Sequence, residues 1–161
     1  MSIEVSDSVP EATFKVWNGS GFDDVTTSDL FRGKTVALFA VPGAFTPTCH
    51  AKHVPSYLEH ADALKAKGVD QIACVAINDA FVLDAWSKAQ HAEGKILMLS
   101  DWGGEFTKAI DMDIDLGVAT LGIRSKRYSM LVKDGVVQSV HVEASPAEME
   151  VSDAATLLGD L

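Results

Sequence analysis

Cys49 closes the run Pro42-Gly43-Ala44-Phe45-Thr46-Pro47-Thr48-Cys49, which separates an apolar segment, Val36 to Val41, from a stretch with helical spacing of apolar residues. Thr46 suits a helix N-cap and Pro47 the first helical position. Cys49 then falls at about the third position of the helix, where backbone N–H groups lack partners and the macrodipole favours negative charge. A helix N-terminus is one of the settings in which a cysteine acts as a thiolate nucleophile rather than as a small core hydrophobe.

The neighbours of Cys49 limit the chemistry. A dithiol oxidoreductase needs Cys-x-x-Cys, and position 52 is Lys52. Cys49, His50 and His53 lack further ligands at suitable spacing, so neither a metal nor another cofactor is expected. His53, four residues on, shares a helix face with Cys49, whereas His50 does not. It reads either as a helix-surface residue or as the base of a cysteine-dependent hydrolase, which would need a third group to orient it. A non-catalytic module that senses oxidants through Cys49 is a third reading. Cys74, in the middle of the apolar run Ile72 to Ile77, reads from pattern alone as a core cysteine.

The 161 residues suit one domain, taken as 1–161, with 47% hydrophobic and 22% charged residues. A net charge of −10 argues against nucleic-acid partners and anionic membrane surfaces. Only three arginines are present, and two lie in Arg124-Ser125-Lys126-Arg127. Two cysteines make no disulfide framework, which fits a reducing, cytoplasmic setting. No apolar run approaches the ~18 residues of a membrane span, and no secretory signal is visible at the N-terminus.

The elements that must position Cys49 follow from periodicity. Thr13 to Trp17 alternates as a strand, and Val36 to Val41 reads as a strand covered on both faces. The helix begun at Thr46 carries the stripe Val54, Tyr57, Leu58, Ala61 and Leu64 and ends at Gly68, with a kink or break expected near Val54 because of Pro55. Ile72 to Ile77 is a second buried strand. Asp79 caps a helix from about Ala80 to His91 with Phe81, Val82, Ala85, Trp86 and Ala89 inward, and Ile96 to Leu99 is a third strand. A short helix spans Glu105 to Ile110. Asp134-Gly135 joins Tyr128–Lys133 and Val136–Val142 in a hairpin, and a helix closes the chain from Asp153 to Leu158. This order predicts an α/β, thioredoxin-like fold, a mixed sheet with parallel central strands flanked by helices, and a site beyond the carboxyl ends of those strands.

Pro42, Thr46 and Cys49 form Pro-x-x-x-Thr-x-x-Cys. With the longer Pro42–Cys49 run, Lys52-His53-Val54-Pro55, Val75 to Val82, Ala85-Trp86 and Arg124 to Met130, the chain resembles the peroxiredoxins, in their type II or peroxiredoxin-five branch. The resemblance implies a thiol peroxidase that reduces hydrogen peroxide and organic hydroperoxides, with Cys49 cycling through a sulfenic acid. It assigns Thr46 to orient the substrate, Pro42 to shield the sulfur and Arg127 to supply charge, with Arg124 the alternative. Gly43, Phe45 and His53 stand close to the site, and backbone N–H groups from Ala44 to Cys49 are expected to receive the leaving oxygen. Cys74 matches the resolving cysteine of plant-type members, so its role stays open. Glu143 to Leu161 carries no cysteine, which favours glutathione with glutaredoxin over thioredoxin as reductant. A homodimer is expected, with Phe45 and Phe81 at or near its surface.

Overall fold

Seven strands form one sheet in the order β2-β1-β5-β4-β3-β8-β9 in the computed structural model, which describes residues 2–161. The strands are β1 (Thr13–Trp17), β2 (Phe22–Thr26), β3 (Thr35–Ala40), β4 (Gln71–Ala76), β5 (Leu97–Ser100), β8 (Tyr128–Lys133) and β9 (Val136–Val142). A separate two-stranded ribbon pairs β6 (Asp113–Asp115) with β7 (Ile123–Ser125). The central strands β3, β4 and β5 run parallel, while β8 lies antiparallel to β3. The fold is the expected thioredoxin-like one, with β2, β6, β7 and a short helix, α1 (Thr27–Phe31), among the elements added to those that periodicity reveals.

Alternation along the buried strands divides the core. Ala37, Phe39 and Val41 of the β3 segment, with Ile72, Cys74 and Ala76 of β4, face one side. Helices α2 (Val54–Glu59), α3 (Ala61–Ala66), α4 (Ala80–Ala89) and α6 (Ala154–Leu158) cover that side through Tyr57, Leu64, Trp86 and Leu157. Val36, Leu38, Ala73 and Val75 face the other side, under α1 (Thr27–Phe31) and α5 (Glu105–Ala109). Both faces of β3 and β4 are therefore dry, which is why those segments read as continuous apolar runs.

The hairpin turn is as its sequence demands. Asp134 and Gly135 have φ of 48° and 79°, the two positive values of a two-residue turn that matches strand twist. Gly68, φ 98°, ends the helical segment after α3.

Two local expectations need correction. On α4 the buried face is Ala80, Leu83, Trp86 and Ser87; of the predicted inward residues only Trp86 is buried. Phe81 is 54% exposed and packs instead against Trp17 and Phe22 in a surface aromatic cluster, with ring centroids 4.8 and 5.2 Å away. The apolar count along α4 misplaced the stripe because Phe81 satisfies a sideways contact with the sheet edge. The second correction concerns only the form of the irregularity at Pro55. The irregularity expected near Val54 is present, not as a break but as a π-helical turn over Cys49–His53, in which Val54 N–H donates to the Cys49 carbonyl. A proline has no N–H to donate, and the wider turn absorbs that loss ahead of it. The break in the helix falls later, at His60, between α2 and α3.

Candidate active site

Sheet register brings the reactive groups together. Ala40, the last residue of β3, pairs with Tyr128, the first of β8. Arg127 therefore stands at the edge of the sheet from which the chain leaves for the Pro42–Cys49 loop. Side chains alternate along β8, so Arg127 shares its face with Leu131 and not with Tyr128 and Met130, and this is the face that α2 covers.

The Cys49 sulfur is fully buried, with two donors on it. Arg127 Nη2 lies 3.0 Å away and Thr46 Oγ1 2.9 Å away. Thr46 stands where an N-cap would, but its hydroxyl serves the sulfur and the Gly43 carbonyl, at 2.7 Å, rather than a helix N–H. Arg127 is 2% exposed. Its Nε donates to the Pro146 carbonyl at 3.0 Å and its Nη1 to His53 Nδ1 at 2.8 Å. A guanidinium is always charged, so a fixed positive charge sits beside the sulfur.

His53 is buried, not on the helix surface. It packs against Phe39, 4.8 Å between centroids, and its Nε2 lies 3.0 Å from the Ser152 carbonyl. Arginine cannot accept a hydrogen bond, so Nδ1 carries the lone pair and Nε2 the proton. Burial, and after it the Arg127 charge, lower the His53 pKa from 6.5 to about 3, against smaller opposing effects of Ser152 and Glu143. The ring is neutral at physiological pH. Its lone pair is occupied by Arg127, which removes the geometric basis for a Cys49–His53 nucleophile–base pair.

The loop before the cysteine is held at several points. Ala44 N–H donates to Asn78 Oδ1 at 2.9 Å, so that N–H is committed and does not belong to the donors expected for a leaving oxygen. Phe45 has φ 62°, a left-handed value uncommon for a bulky side chain, and is 51% exposed. Arg124 does not reach the sulfur: its Nη1 approaches the Pro42 carbonyl at 3.4 Å and its Nε donates to Leu121 O at 2.9 Å. Gly43 lies close beneath it: a Cβ there would meet Arg124 Nη1 at 3.0 Å and Thr46 Cγ2 at 3.2 Å, so those side chains would have to give by a few tenths of an ångström.

Cys74 is fully buried on β4, on the same core face as Cys49, and both are free thiols. Burial, and after it the nearby Cys49, push the Cys74 thiol well above its ordinary range. Among the described residues no group of three or more His, Cys, Asp or Glu could hold a metal, and no helix is long and apolar enough to cross a membrane.

Sequence reasoning missed the supports of this site. Tyr57 OH donates to the Ser152 carbonyl at 3.0 Å, and the Glu143 carboxylate organises residues 150–152. No local motif marks these residues: Tyr57 comes from α2, and the long-range pairing of β8 with β9 is what sets Glu143 opposite Arg127.

The Redoxin family matches residues 4–158. Peroxiredoxin-2F, mitochondrial, of Arabidopsis thaliana is 42% identical over 142 residues, covering 88% of this chain and 71% of that relative. The chain belongs to the peroxiredoxins. Its relatives place it in the type II branch of that family, and Peroxiredoxin-2B of the same plant is 41% identical over 157 residues, covering 97% of this chain and 96% of its own. The crystal structure of reduced Prx3 from Vibrio vulnificus in complex with hydrogen peroxide superposes with a TM-score of 0.92 at 48% identity, covering 98% of both chains. As a peroxiredoxin, the chain is a thiol-dependent peroxidase of the oxidoreductase class.

Proposed function

We propose that Cys49 is the peroxidatic cysteine and that it reduces hydrogen peroxide and small organic hydroperoxides. The observation that carries this reading is the convergence of Arg127 Nη2 and Thr46 Oγ1 on the one sulfur. The thiolate attacks one peroxide oxygen in line. A sulfur–oxygen bond forms, the oxygen–oxygen bond breaks, and the hydroxide or alkoxide that leaves takes a proton from solvent. Cys49 becomes a sulfenic acid, two electrons more oxidised. Thr46 accepts from the peroxide O–H while its own proton faces the sulfur and the Gly43 carbonyl. Arg127 offsets the negative charge as it moves from sulfur to oxygen, and Pro42 screens the sulfur from water. The hydrogen peroxide in the Vibrio vulnificus structure is of the substrate class this geometry suits.

Two thiols return Cys49 to its starting state. The first forms a mixed disulfide and releases water; the second reduces it. We assign these steps to glutathione with glutaredoxin, with thioredoxin as the alternative. Cys74 is assigned to the core, supported by its full burial and its raised thiol. The opposing observation is that it shares a core face with Cys49, so a disulfide after opening of the π turn is the second reading. A homodimer using the exposed Phe45 and Phe81, one domain over 1–161, and a reducing, cytoplasmic setting complete the proposal.

Steady-state peroxide loss with glutathione, with and without glutaredoxin, tests the assignment. Cys49→Ser should abolish turnover in a folded protein, and Cys74→Ser should leave it unchanged. Retained turnover in Cys49→Ser would overturn the mechanism. Ester hydrolysis without peroxide consumption would favour the hydrolase instead, and oxidation of Cys49 without turnover on any reductant would favour a sensing module.

A further inference from the structure

Glu143 is a buried ionisable group beside the site to which the reaction above gives no task. It is 7% exposed and follows directly on β9. Its backbone N–H donates to the Arg127 carbonyl at 3.0 Å, so it extends the β8–β9 ladder opposite Arg127. Its carboxylate points into the closing segment of the chain. Oε2 accepts from the N–H groups of Glu150, Val151 and Ser152 at 3.0, 2.9 and 2.7 Å and from the Ser152 hydroxyl at 2.6 Å, and Oε1 also accepts from Glu150 N–H at 3.0 Å. Burial by itself would raise this carboxyl; the bonds from Ser152, Glu150 and Val151 outweigh it and hold the pKa below the ordinary value, so the group is an anion at neutral pH.

What the anion gathers is the mount of Arg127. Ser152, whose N–H and hydroxyl donate to Glu143, presents its carbonyl to His53 Nε2 and to Tyr57 OH, each at 3.0 Å. With its proton committed there, His53 offers its Nδ1 lone pair to Arg127 Nη1. Pro146, in the same closing segment, takes Arg127 Nε. Those two restraints fix the plane of the guanidinium and leave Nη2 to meet the sulfur.

We infer that Glu143 is a positioning residue for the peroxidase reaction: through Ser152 it holds His53 as the Nε2–H tautomer, and His53 in turn aims Arg127 at Cys49. A carboxylate suits the position because every group facing it is a donor. A glutamine could accept on one oxygen, but its amide would set N–H against the Glu150 N–H. The inference rests on the peroxidase reading for its kinetic arm only; the tautomer arm stands without it.

Glu143→Gln and Glu143→Ala, compared with the wild type in the full chain, test this. The first readout is the ring nitrogen shifts of 15N-labelled His53, assigned by their loss in His53→Asn. The wild type should show Nε2–H alone; Glu143→Ala should lose that preference, and Glu143→Gln, which keeps one accepting oxygen for Ser152, should lose less of it. The second readout is the rate of Cys49 oxidation by hydrogen peroxide relative to its alkylation by iodoacetamide at alkaline pH. Alkylation needs the thiolate but no aimed guanidinium, so the ratio should fall roughly 10- to 100-fold in Glu143→Ala, and less in Glu143→Gln. A purely structural role would lower stability and leave the ratio unmoved in the folded fraction. An unchanged tautomer and ratio in folded Glu143→Ala would overturn the inference, as would an Nδ1–H or mixed tautomer in the wild type, which needs no variant to fold. If the wild type consumed no peroxide, the peroxidase reading would fall while the nitrogen shifts still decided the role of Glu143 on His53.

Discussion

The Trp86 indole N–H donates to His50 Nδ1 at 3.1 Å, which fastens α4 to the π turn that carries Cys49. Gln90 adds a second tie, from its side-chain amide to the His50 carbonyl at 2.9 Å. Trp86→Phe keeps most of the buried ring and removes the first tie. The expected loss of stability is about 1 kcal/mol from the hydrogen bond, plus a contribution from the smaller ring. Amide exchange should accelerate over residues 49–54 more than elsewhere, as read by hydrogen–deuterium exchange. Uniform acceleration across the fold would mean that the tie is not specific to the turn.

Thr46→Val removes the hydroxyl beside the sulfur and keeps the shape of the side chain. The second-order rate with hydrogen peroxide should fall by roughly 10²- to 10³-fold, the scale of one lost donor at a site of developing charge. Thr46→Ser restores the hydroxyl and should recover most of that loss. Stopped-flow oxidation of the reduced protein measures both, and equal rates in the valine and serine variants would exclude the hydroxyl.

Arg127→Lys keeps the charge and loses the fork. A lysine cannot serve Cys49, His53 and the Pro146 carbonyl in the same plane. Peroxide reactivity should fall nearly as far as in Arg127→Ala. Each buried acceptor left without a partner costs about 1–3 kcal/mol, so urea unfolding should show both variants destabilised. Arg124→Ala should change neither measurement comparably, since that guanidinium contacts the Pro42 carbonyl and not the sulfur.

Acid should weaken the fold before ordinary carboxylates titrate. The unfolded chain protonates His53 near pH 6.5, whereas the folded protein resists until about pH 3. Across that window the unfolded state binds the extra proton, so stability falls with pH by about 1.4 kcal/mol per unit from this one group. Glu143, also lowered in the fold, adds loss in the same direction below its ordinary value of 4.5. Urea midpoints measured from pH 7.5 downward should decline from about pH 6.5 in the wild type, and the decline should begin later in His53→Gln. Coincident curves would mean that His53 is protonated in the folded protein.

The reactive run was legible because its grammar is local: a dry strand, a proline at the first helical position and a cysteine two residues later. Arg127 could be singled out only through the family pattern, yet its face follows from β-strand parity once β8 is placed. Glu143 was illegible for a countable reason. A regular hairpin around Asp134-Gly135 pairs Lys133 with Val136 and would set Arg127 opposite Val142. The irregularity between Leu131 and Val132 shifts the register by one, so Tyr128 takes Val142 and Arg127 receives Glu143. Nothing in the local sequence announces that shift. His53 was misjudged for a related reason, since its partners, Ser152 and Arg127, lie 99 and 74 residues away. Phe81 misled because an apolar side chain at helical spacing can serve a surface cluster as well as a core.

The π turn over Cys49–His53 also makes the site a matter of counting. Such a turn is a helix carrying one residue more than its neighbours need, and deleting a residue within it would restore a regular α-helix. The hydrogen bonding of the helix would improve. Yet each α-helical residue turns the chain by about 100°, so the part of the helix before the deletion would rotate relative to α2, and Cys49 would turn away from its place beside Arg127 Nη2. A shortened chain of this kind would be expected to keep its helix and lose its chemistry. The surplus residue is thus a phase adjustment between the sulfur and the groups that serve it.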